Sequence, residues 1–383
     1  MSAPMRRGAC PTLAAPMASG DGLLARLMVA ELTLAQLAGL ARAAAAFGNG
    51  LVEVTARGST QIRGLTAATA PKLAAALEDL GIEAPAGPPV VMGPLAGLDL
   101  AEFADPRPLA AALRGFSRPL APKVSVVVDG GGALALDGLT ADLRLRATAE
   151  GWTVWADRAP LGSFDAAGAV AAGRALLDRL SRTGGRARDL DLAPDAPPAR
   201  PDVSPVGRFP LRDGVARGVA PAFGQTDAVA LGALAEAARG AAGVRPAPGR
   251  ALVFVGLSEE ADARLLAGAR ALGFVTEAED PRLRIAACAG APACGSAWLA
   301  ARAIAARLAD PGFGITPPEG ARLHVSGCAK RCAQPAGPAI TLLGTPEGAV
   351  VTGEGLAVPD ALRERLSRRE VRGREVRGRE VRG

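Results

Sequence analysis

The stretches RLRIAACAGAPACGSAW (Arg282–Trp298) and RLHVSGCAKRC (Arg322–Cys332) contain four of the five cysteines in this chain of 383 residues. Their spacing is C-x5-C, then 33 residues, then C-x3-C. In each stretch an alternating apolar segment, typical of a β-strand, comes directly before the cysteines. Each pair is therefore expected where a strand leaves its sheet, and residues 296–308 after the first pair are predicted to form a helix.

Four clustered thiolates suit an iron–sulfur cluster or a structural zinc ion. Zinc sites usually place two to four residues between paired cysteines, so the five-residue spacer between Cys288 and Cys294 argues against zinc. The common ferredoxin spacings do not match either. Buried cysteines without a ligand are the alternative. Two close pairs with glycine and proline nearby favour ligation.

The chain contains an internal repeat. Residues 32–50 are predicted to form a helix, residues 51–65 two short strands about a turn, and residues 66–82 another helix. The order recurs later, and Gly64–Gly81 aligns with Gly256–Gly273 without gaps at an offset of 192 residues. A shared element order at a fixed offset indicates duplication.

The segments between and after the repeats have their own patterns. Residues 122–158 alternate polar and apolar positions with glycine turns, which predicts an antiparallel sheet, and residues 164–183 then predict a helix. Residues 183–210 are rich in Pro, Asp and Arg, as interdomain linkers are. The end of the chain contains REVRG three times in tandem, which predicts a disordered tail.

Composition excludes several classes of protein. Of the net charge of +6, residues 363–383 carry +5, so a nucleic-acid partner is not expected for the body of the chain. No apolar run reaches roughly 18 residues, so a membrane helix is not predicted. An odd number of cysteines without secretory features favours the cytoplasm. With His324 as the single histidine, one chain cannot build a two-histidine metal site.

The cysteine pattern, with a duplicated half ahead of the second pair, resembles the sulfite/nitrite reductase superfamily. More narrowly, Arg6–Leu27, Glu53–Leu65, CAGAPAC and HVSGCAKRC resemble its precorrin-3B synthase branch. The resemblance implies an α+β fold of two pseudo-repeated halves, each with a ferredoxin-like half-domain and an α/β cluster-type domain. It also implies that the four cysteines hold a [4Fe–4S] cluster next to a tetrapyrrole; they are Cys288, Cys294, Cys328 and Cys332.

The resemblance also implies a set of tetrapyrrole-binding residues, which are Arg26, Thr55, Arg57, Gln61, Arg63 and Lys123. Even spacing would place Arg57, Gln61 and Arg63 on one face of a strand unless a turn near Gly58 intervenes. Arginine suits a ligand with many carboxylates because its guanidinium pairs with them bidentately. A solvated strand face is the alternative for each of these residues.

Two departures from the reductases bear on the substrate. Ser125 stands where they have a second lysine, and residues 84–97 have prolines where they have another arginine. Losing two of four cations should weaken the binding of sulfite or nitrite. The departures therefore favour a family member whose substrate is the tetrapyrrole itself.

The synthase resemblance implies O2-dependent oxidation of precorrin-3A to precorrin-3B, with hydroxylation at C20 and lactone formation. It implies a mononuclear non-haem iron as well, although only one imidazole is present. The chain has no Rossmann fingerprint, because no helix is predicted after DGGGALALDG (residues 129–138). A separate NADH-linked electron donor is therefore expected. The alternatives are a sirohaem-dependent sulfite or nitrite reductase and a non-catalytic iron–sulfur protein.

Three other residues have less specific interpretations. His324 is expected to be a hydrogen-bonded structural residue, with a proton donor or iron ligand as the alternative. Asp21 is expected to be a helix cap, with a substrate contact as the alternative, and Cys10 a structural or substrate-contacting residue. The predicted division of the chain is 1–82 (first ferredoxin-like half-domain), 83–182 (first α/β domain, without a cluster), 183–210 (linker), 211–280 (second half-domain), 281–365 (cluster domain) and 366–383 (tail).

Overall fold

The structure is a computed structural model that describes residues 11–83, 87–195, 199–310, 312, 318–335, 337–354 and 356–367. Cys10 and the REVRG repeats lie outside these residues. The helices are Leu34–Phe47 (α1), Ala70–Asp79 (α2), Arg107–Arg114 (α3), Ala166–Thr183 (α4), Ala228–Ala237 (α5), Glu259–Ala271 (α6), Ala301–Leu308 (α7) and Asp360–Ser367 (α8). The strands of the first half are Met17–Ser19 (β1), Gly22–Leu27 (β2), Leu51–Val54 (β3), Thr60–Leu65 (β4), Val90–Met92 (β5), Val126–Asp129 (β6), Leu143–Thr148 (β7), Gly151–Ala156 (β8) and Ala159–Phe164 (β9). Those of the second half are Gly207–Pro210 (β10), Val215–Val219 (β11), Gln225–Asp227 (β12), Gly243–Ala247 (β13), Ala251–Leu257 (β14), Ile285–Ala287 (β15), Arg322–Ser326 (β16), Ala339–Thr345 (β17) and Gly348–Glu354 (β18).

Two antiparallel sheets carry the repeated helices. Their strand orders are β1-β2-β4-β3-β12 and β10-β11-β14-β13. Matched glycines near the ends of the repeated elements have the same backbone conformation: φ is +70° at Gly64 and +69° at Gly256, and +69° at Gly81 and +79° at Gly273. These are left-handed conformations that favour glycine. The duplication predicted from the sequence is confirmed.

Two further sheets have mixed strand directions. Their orders are β5-β6-β7-β8-β9 and β15-β16-β17-β18, with the first three strands parallel and the following ones antiparallel in both. The prediction of an antiparallel sheet for residues 122–158 is therefore wrong at β6 and β7, which are parallel. The connection between them crosses the sheet and packs Leu136 and Ala141 against Val127. Alternation of side chains does not reveal strand direction, which depends on the length and path of the connection.

The two half-domains interlock. Strand β12 of the second half pairs with β3 of the first, and Leu32 of the first half forms a bridge with Val244 of the second. Helices α1 and α5 pack together over a hydrophobic core to which both halves contribute. The repeats therefore share one interior, and the chain has the α+β fold of two pseudo-repeated halves.

The residues predicted to form the linker have ordered contacts. Residues 207–210 form β10 and pair with β11, so the end of the expected linker belongs to the second sheet. Farther upstream, Arg200 Nε donates to Asp137 Oδ2 at 2.9 Å, which ties this segment to the first α/β domain. Within the described part of the chain, no helix has both the length and the apolarity to cross a membrane.

Candidate functional site

The four cysteines lie at one edge of the β15–β18 sheet. Cys288 directly follows β15, and Cys328 and Cys332 follow β16, its parallel neighbour. Carboxyl ends of parallel strands share an edge, so both cysteine loops start side by side. Gly327 N–H donates to Cys288 Sγ at 3.1 Å, and Trp298 N–H donates to the Gly327 carbonyl at 2.7 Å. These bonds hold the first cysteine loop against the second.

The thiols lie near one another at different depths: Cys288, Cys294 and Cys328 are half-buried, whereas Cys332 is exposed. Partial burial of the sulfur raises the pKa of Cys288 and of Cys332, and the other cysteines, Cys294 and Cys328 included, raise both pKa values further. These two thiols are therefore within electrostatic range of the other cysteines. No disulfide joins them, and among the described residues no three His, Cys, Asp or Glu side chains converge as ligands of a single metal ion would.

The loops fit a compact inorganic group. A Cβ added at Gly290, where φ is +65°, would lie 2.4 Å from the Ala301 nitrogen, and one at Gly327 would lie 2.6 Å from the Ala297 Cβ. Only glycine allows the two loops to curl this tightly. In a cubane each cysteine binds a different iron, which suits four thiols that cluster without meeting at one point. Because burial favours the protonated thiols, metal binding would release protons.

The outer face of the first sheet carries the next polar groups. Arg26 of β2 lies opposite Gln61 of β4, and Gln61 lies opposite Glu53 of β3. With the Gln61 amide oxygen turned toward Arg26, it accepts from Nη2 at 2.7 Å and Nε at 3.0 Å. Ile62 points the other way, into the core. Alternation along β4 therefore places Gln61 and Arg63 together on the outer face.

Arg63 is already engaged by acidic residues. Its Nε and Nη2 donate to Asp21 at 2.8 and 2.9 Å, and its Nη1 donates to Glu53 at 3.3 Å. These carboxylates help to raise the pKa of Arg63, although burial opposes the rise. The expectation that Asp21 caps a helix is wrong, because Asp21 lies in the turn between β1 and β2.

Arg57 lies apart from this strand face. Strand β4 begins only at Thr60, and Arg57 sits in the β3–β4 turn, where it forms a bridge with Pro248. The predicted common strand face is therefore wrong for Arg57, since the turn interrupts the alternation. Its Nη1 donates to the Thr140 carbonyl at 2.7 Å, whereas its buried Nη2 has no partner. Burial lowers the pKa of Arg57.

The remaining predicted residues are placed differently. Thr55 Oγ1 lies 2.8 Å from Ser59 Oγ inside the β3–β4 turn. Lys123 is exposed just before β6, with φ at +69°. His324 is fully buried on β16, and its Nδ1 lies 3.2 Å from Thr341 Oγ1, so the hydrogen bond expected for this residue is present.

A cleft of about 490 Å³ lies where the halves meet, and its lining includes Arg57, Arg250, Arg282, Arg322 and Gln334. Gln334 Oε1, like Arg57 Nη2, is buried without a hydrogen-bond partner. The lining residues from the second half were not identified from the sequence; they are Arg250, Arg282, Arg322 and Gln334. Arg250 could have been found from the repeat, because it lies in the β13–β14 turn, the counterpart of the β3–β4 turn that carries Arg57.

Arg302 is another residue that the sequence did not reveal. It lies in the first turn of α7, its Nη2 donates to the carbonyls of Ala222 at 3.2 Å and Gln225 at 2.8 Å, and its Nη1 is buried without a partner. The Gln225 Oε1 is likewise buried and unpartnered. Negative charge at Glu53 and Cys288 favours the charged form of Arg302, although burial lowers its pKa overall. No motif in the sequence marks this contact, which forms only when α7 meets β12.

Comparisons with known proteins agree with this architecture. The family model described as "Nitrite/Sulfite reductase ferredoxin-like half domain" matches residues 15–80. The solved structure of Mycobacterium tuberculosis NirA superposes with a TM-score of 0.66 over 86% of this chain and 73% of NirA; at 20% identity this likeness concerns the fold. A precorrin-3B synthase from Sinorhizobium sp. is 38% identical over 94% of this chain and 86% of its own length. The chain therefore belongs to the precorrin-3B synthase family of enzymes.

Proposed function

We propose that the protein converts precorrin-3A to precorrin-3B in aerobic cobalamin biosynthesis. One atom of O2 would become the C20 hydroxyl, and the other would leave as water with two electrons from a separate NADH-linked donor. The ring A acetate then closes the lactone. The observation that carries the proposal is the polar outer face of the first sheet, which lies directly beside the cysteine loops in a chain of this family.

Cys288, Cys294, Cys328 and Cys332 would hold a [4Fe–4S] cluster, which supplies one-electron transfer when bound. The glycine-lined loops and the clustered thiols support this assignment. A mononuclear non-haem iron is the further cofactor of the proposal. Its ligands cannot include two imidazoles of one chain, because His324 is the only histidine.

The substrate is a macrocycle fringed with carboxylates, which call for fixed cationic donors. Arg57 supports this role most directly, because it lines the cleft between the halves and its buried Nη2 lacks a hydrogen-bond partner. Arg26 and Gln61 would contribute from the strand face, Thr55 from the turn, and Lys123 from its exposed position before β6. Arg63 belongs to the same proposal, although Asp21 and Glu53 occupy most of its donors.

The test is anaerobic purification followed by iron, acid-labile sulfide and pigment analysis, then addition of precorrin-3A, O2 and a reducing system. We expect a broad iron–sulfur absorption, no strong sirohaem band, and a product heavier by one oxygen atom. A sirohaem band with sulfite or nitrite reduction would instead support the reductase alternative. A cluster without oxygen-dependent turnover would indicate a non-catalytic iron–sulfur protein.

A further inference from the structure

The β1–β2 turn contacts the first cysteine loop backbone to backbone. Gly295 N–H donates to the Gly20 carbonyl at 2.7 Å. A Cβ added at Gly20 would lie 2.3 Å from Cys294 Sγ and 3.0 Å from Ser296 Oγ. Contacts below 3.0 Å are essentially never seen for a real Cβ, so any larger residue at position 20 would push Cys294 aside.

The next residue of the turn anchors Arg63. The Asp21 side chain is only 1% exposed and accepts a bidentate pair from Arg63, together with a bond from Ser19 Oγ at 2.5 Å. Burial alone would raise the pKa of Asp21, but the Arg63 and Ser19 hydrogen bonds hold it below its usual value. The carboxylate therefore stays charged and keeps the guanidinium in one orientation.

The turn that anchors the guanidinium is the one that contacts the first cysteine loop, because Asp21 directly follows Gly20. We propose that Arg63 is a positioning residue for the cluster: Asp21 and Glu53 fix its positive charge behind the turn that contacts Cys294, while Gly20 leaves room for that ligand. This role is separate from the macrocycle contacts proposed above. The inference rests on the proposed function, because it needs a cluster at these cysteines.

The physical consequence concerns the reduction potential of the cluster. Reduction adds negative charge to a group already surrounded by four thiolates, so a fixed cation nearby stabilises the reduced state. Arg63→Gln should therefore shift the midpoint potential to more negative values while the cluster is retained. Arg63→Lys keeps the charge and should restore most of the potential, although it cannot reproduce the bidentate pairing.

The experiment is an EPR-monitored redox titration of anaerobically purified full-length protein, with iron and sulfide content measured for each variant. Arg217→Gln is the matched control, because Arg217 pairs bidentately with buried Asp262 at 2.7 and 2.6 Å but lies in the second sheet. Arg217→Gln should lower the stability of the protein without changing the midpoint potential of the cluster. A wild-type potential in Arg63→Gln, or the same shift in both Gln variants, would overturn the proposal.

Gly20→Ala tests the contact independently of charge. We expect a lower iron content or an altered EPR signal from the displaced Cys294 ligand. Gly232→Ala in α5, where nothing lies within 4 Å of an added Cβ, should leave both unchanged. An unaltered cluster in Gly20→Ala would contradict the contact. If the wild-type protein itself lacks acid-labile sulfide, the proposed function fails; if only the variants fail to differ from it, this inference alone fails.

Discussion

The outer faces of the two repeated sheets differ in chemistry. In the first sheet, Arg26 and Gln61 lie opposite each other; at an offset of 192 residues, the second sheet has Gly218 opposite Val253. The position of Arg63 corresponds to Val255, which is fully buried. The second face is therefore mainly apolar, and its Arg245, opposite Val253, is bound by Glu31 and by the Pro94 and Ala96 carbonyls. The backbone plan is shared, so the difference lies in a few side chains.

The loops that cover these faces differ in the same way. The residue after β15 is Cys288, whereas the residue after β5 is Gly93. Opposite the second sheet, Leu95 and Leu134 of the first α/β domain pack against Val253 and Val255. The second interface is therefore filled by its own hydrophobic side chains. The duplicated fold therefore has two equivalent interfaces. One is packed with hydrophobic side chains, and the other carries the polar groups that a site requires.

The strongest test of this comparison is Cys294→Ser. Because a cubane needs all four thiolates, we expect loss of the cluster absorption and of acid-labile sulfide. Gly93→Ser changes the other half at the position equivalent to Cys288, where nothing lies within 4 Å of an added Cβ, and should leave the iron content intact. Full absorption and iron in the Cys294 variant would show that the ligand assignment is wrong.

Val255→Arg should lower the unfolding free energy strongly. It places a positive charge on the buried face of the second sheet, at the position that corresponds to Arg63. The Glu31 carboxylate, which lies against Gly243 opposite Val255, already pairs with Arg245, and an unpaired buried charge costs about 4 kcal/mol of unfolding free energy. Val350→Arg is the control, since Val350 is 46% exposed and exposed changes cost about 0.5 kcal/mol or less. Urea unfolding measures both. Similar midpoints for the two variants would mean that the second interface is not packed.

A smaller effect is expected at the two hairpin turns. Arg57→Ala should weaken tetrapyrrole binding by about tenfold, the loss expected for one charged hydrogen bond, without bleaching the cluster. Arg250→Ala should weaken it less, because Arg250 Nη1 already lies 3.7 Å from Glu53. Fluorescence or absorption titration with precorrin-3A under anaerobic conditions measures both affinities. Equal losses of affinity in the two variants would show that Arg57 and Arg250 contribute equally to tetrapyrrole binding.

The smallest effect concerns the pH dependence of stability. It involves Glu102, which lies between β5 and α3 in the loop that corresponds to the first cysteine loop. Burial raises the pKa of Glu102 from its ordinary 4.5 to about 7. The folded state then holds a proton that the unfolded state releases, so stability should fall as pH rises from 4.5 to 7, by about 1–2 kcal/mol once solvent screening is included. Glu102→Gln should flatten this decline in thermal midpoints. An unchanged slope would show that Glu102 does not titrate in this range.

Much of the architecture was predictable because local patterns determine it. The helices α1, α2, α4 and α6 were expected near their observed bounds, since each combines an apolar stripe with a terminal stop. The strands before Cys288 and Cys328 were expected because they alternate. Strand direction was not predictable at β6 and β7, where a crossing connection replaces a hairpin. The Asp21–Arg63 pair was also missed, because its members are 42 residues apart and meet only through strand pairing.

The amino-acid sequence by itself determined the repeat, the cysteine pattern and the family resemblance, since spacing and residue type express all three. Only the tertiary structure decided which polar residues meet: it set Arg57 apart from its strand face, joined Arg63 to Asp21 and Glu53, and brought Arg302 to Gln225. The physical reason is that ion pairs and buried donors act over a few ångströms. Residues far apart in the chain reach that range only after the sheets and the cluster loops have packed.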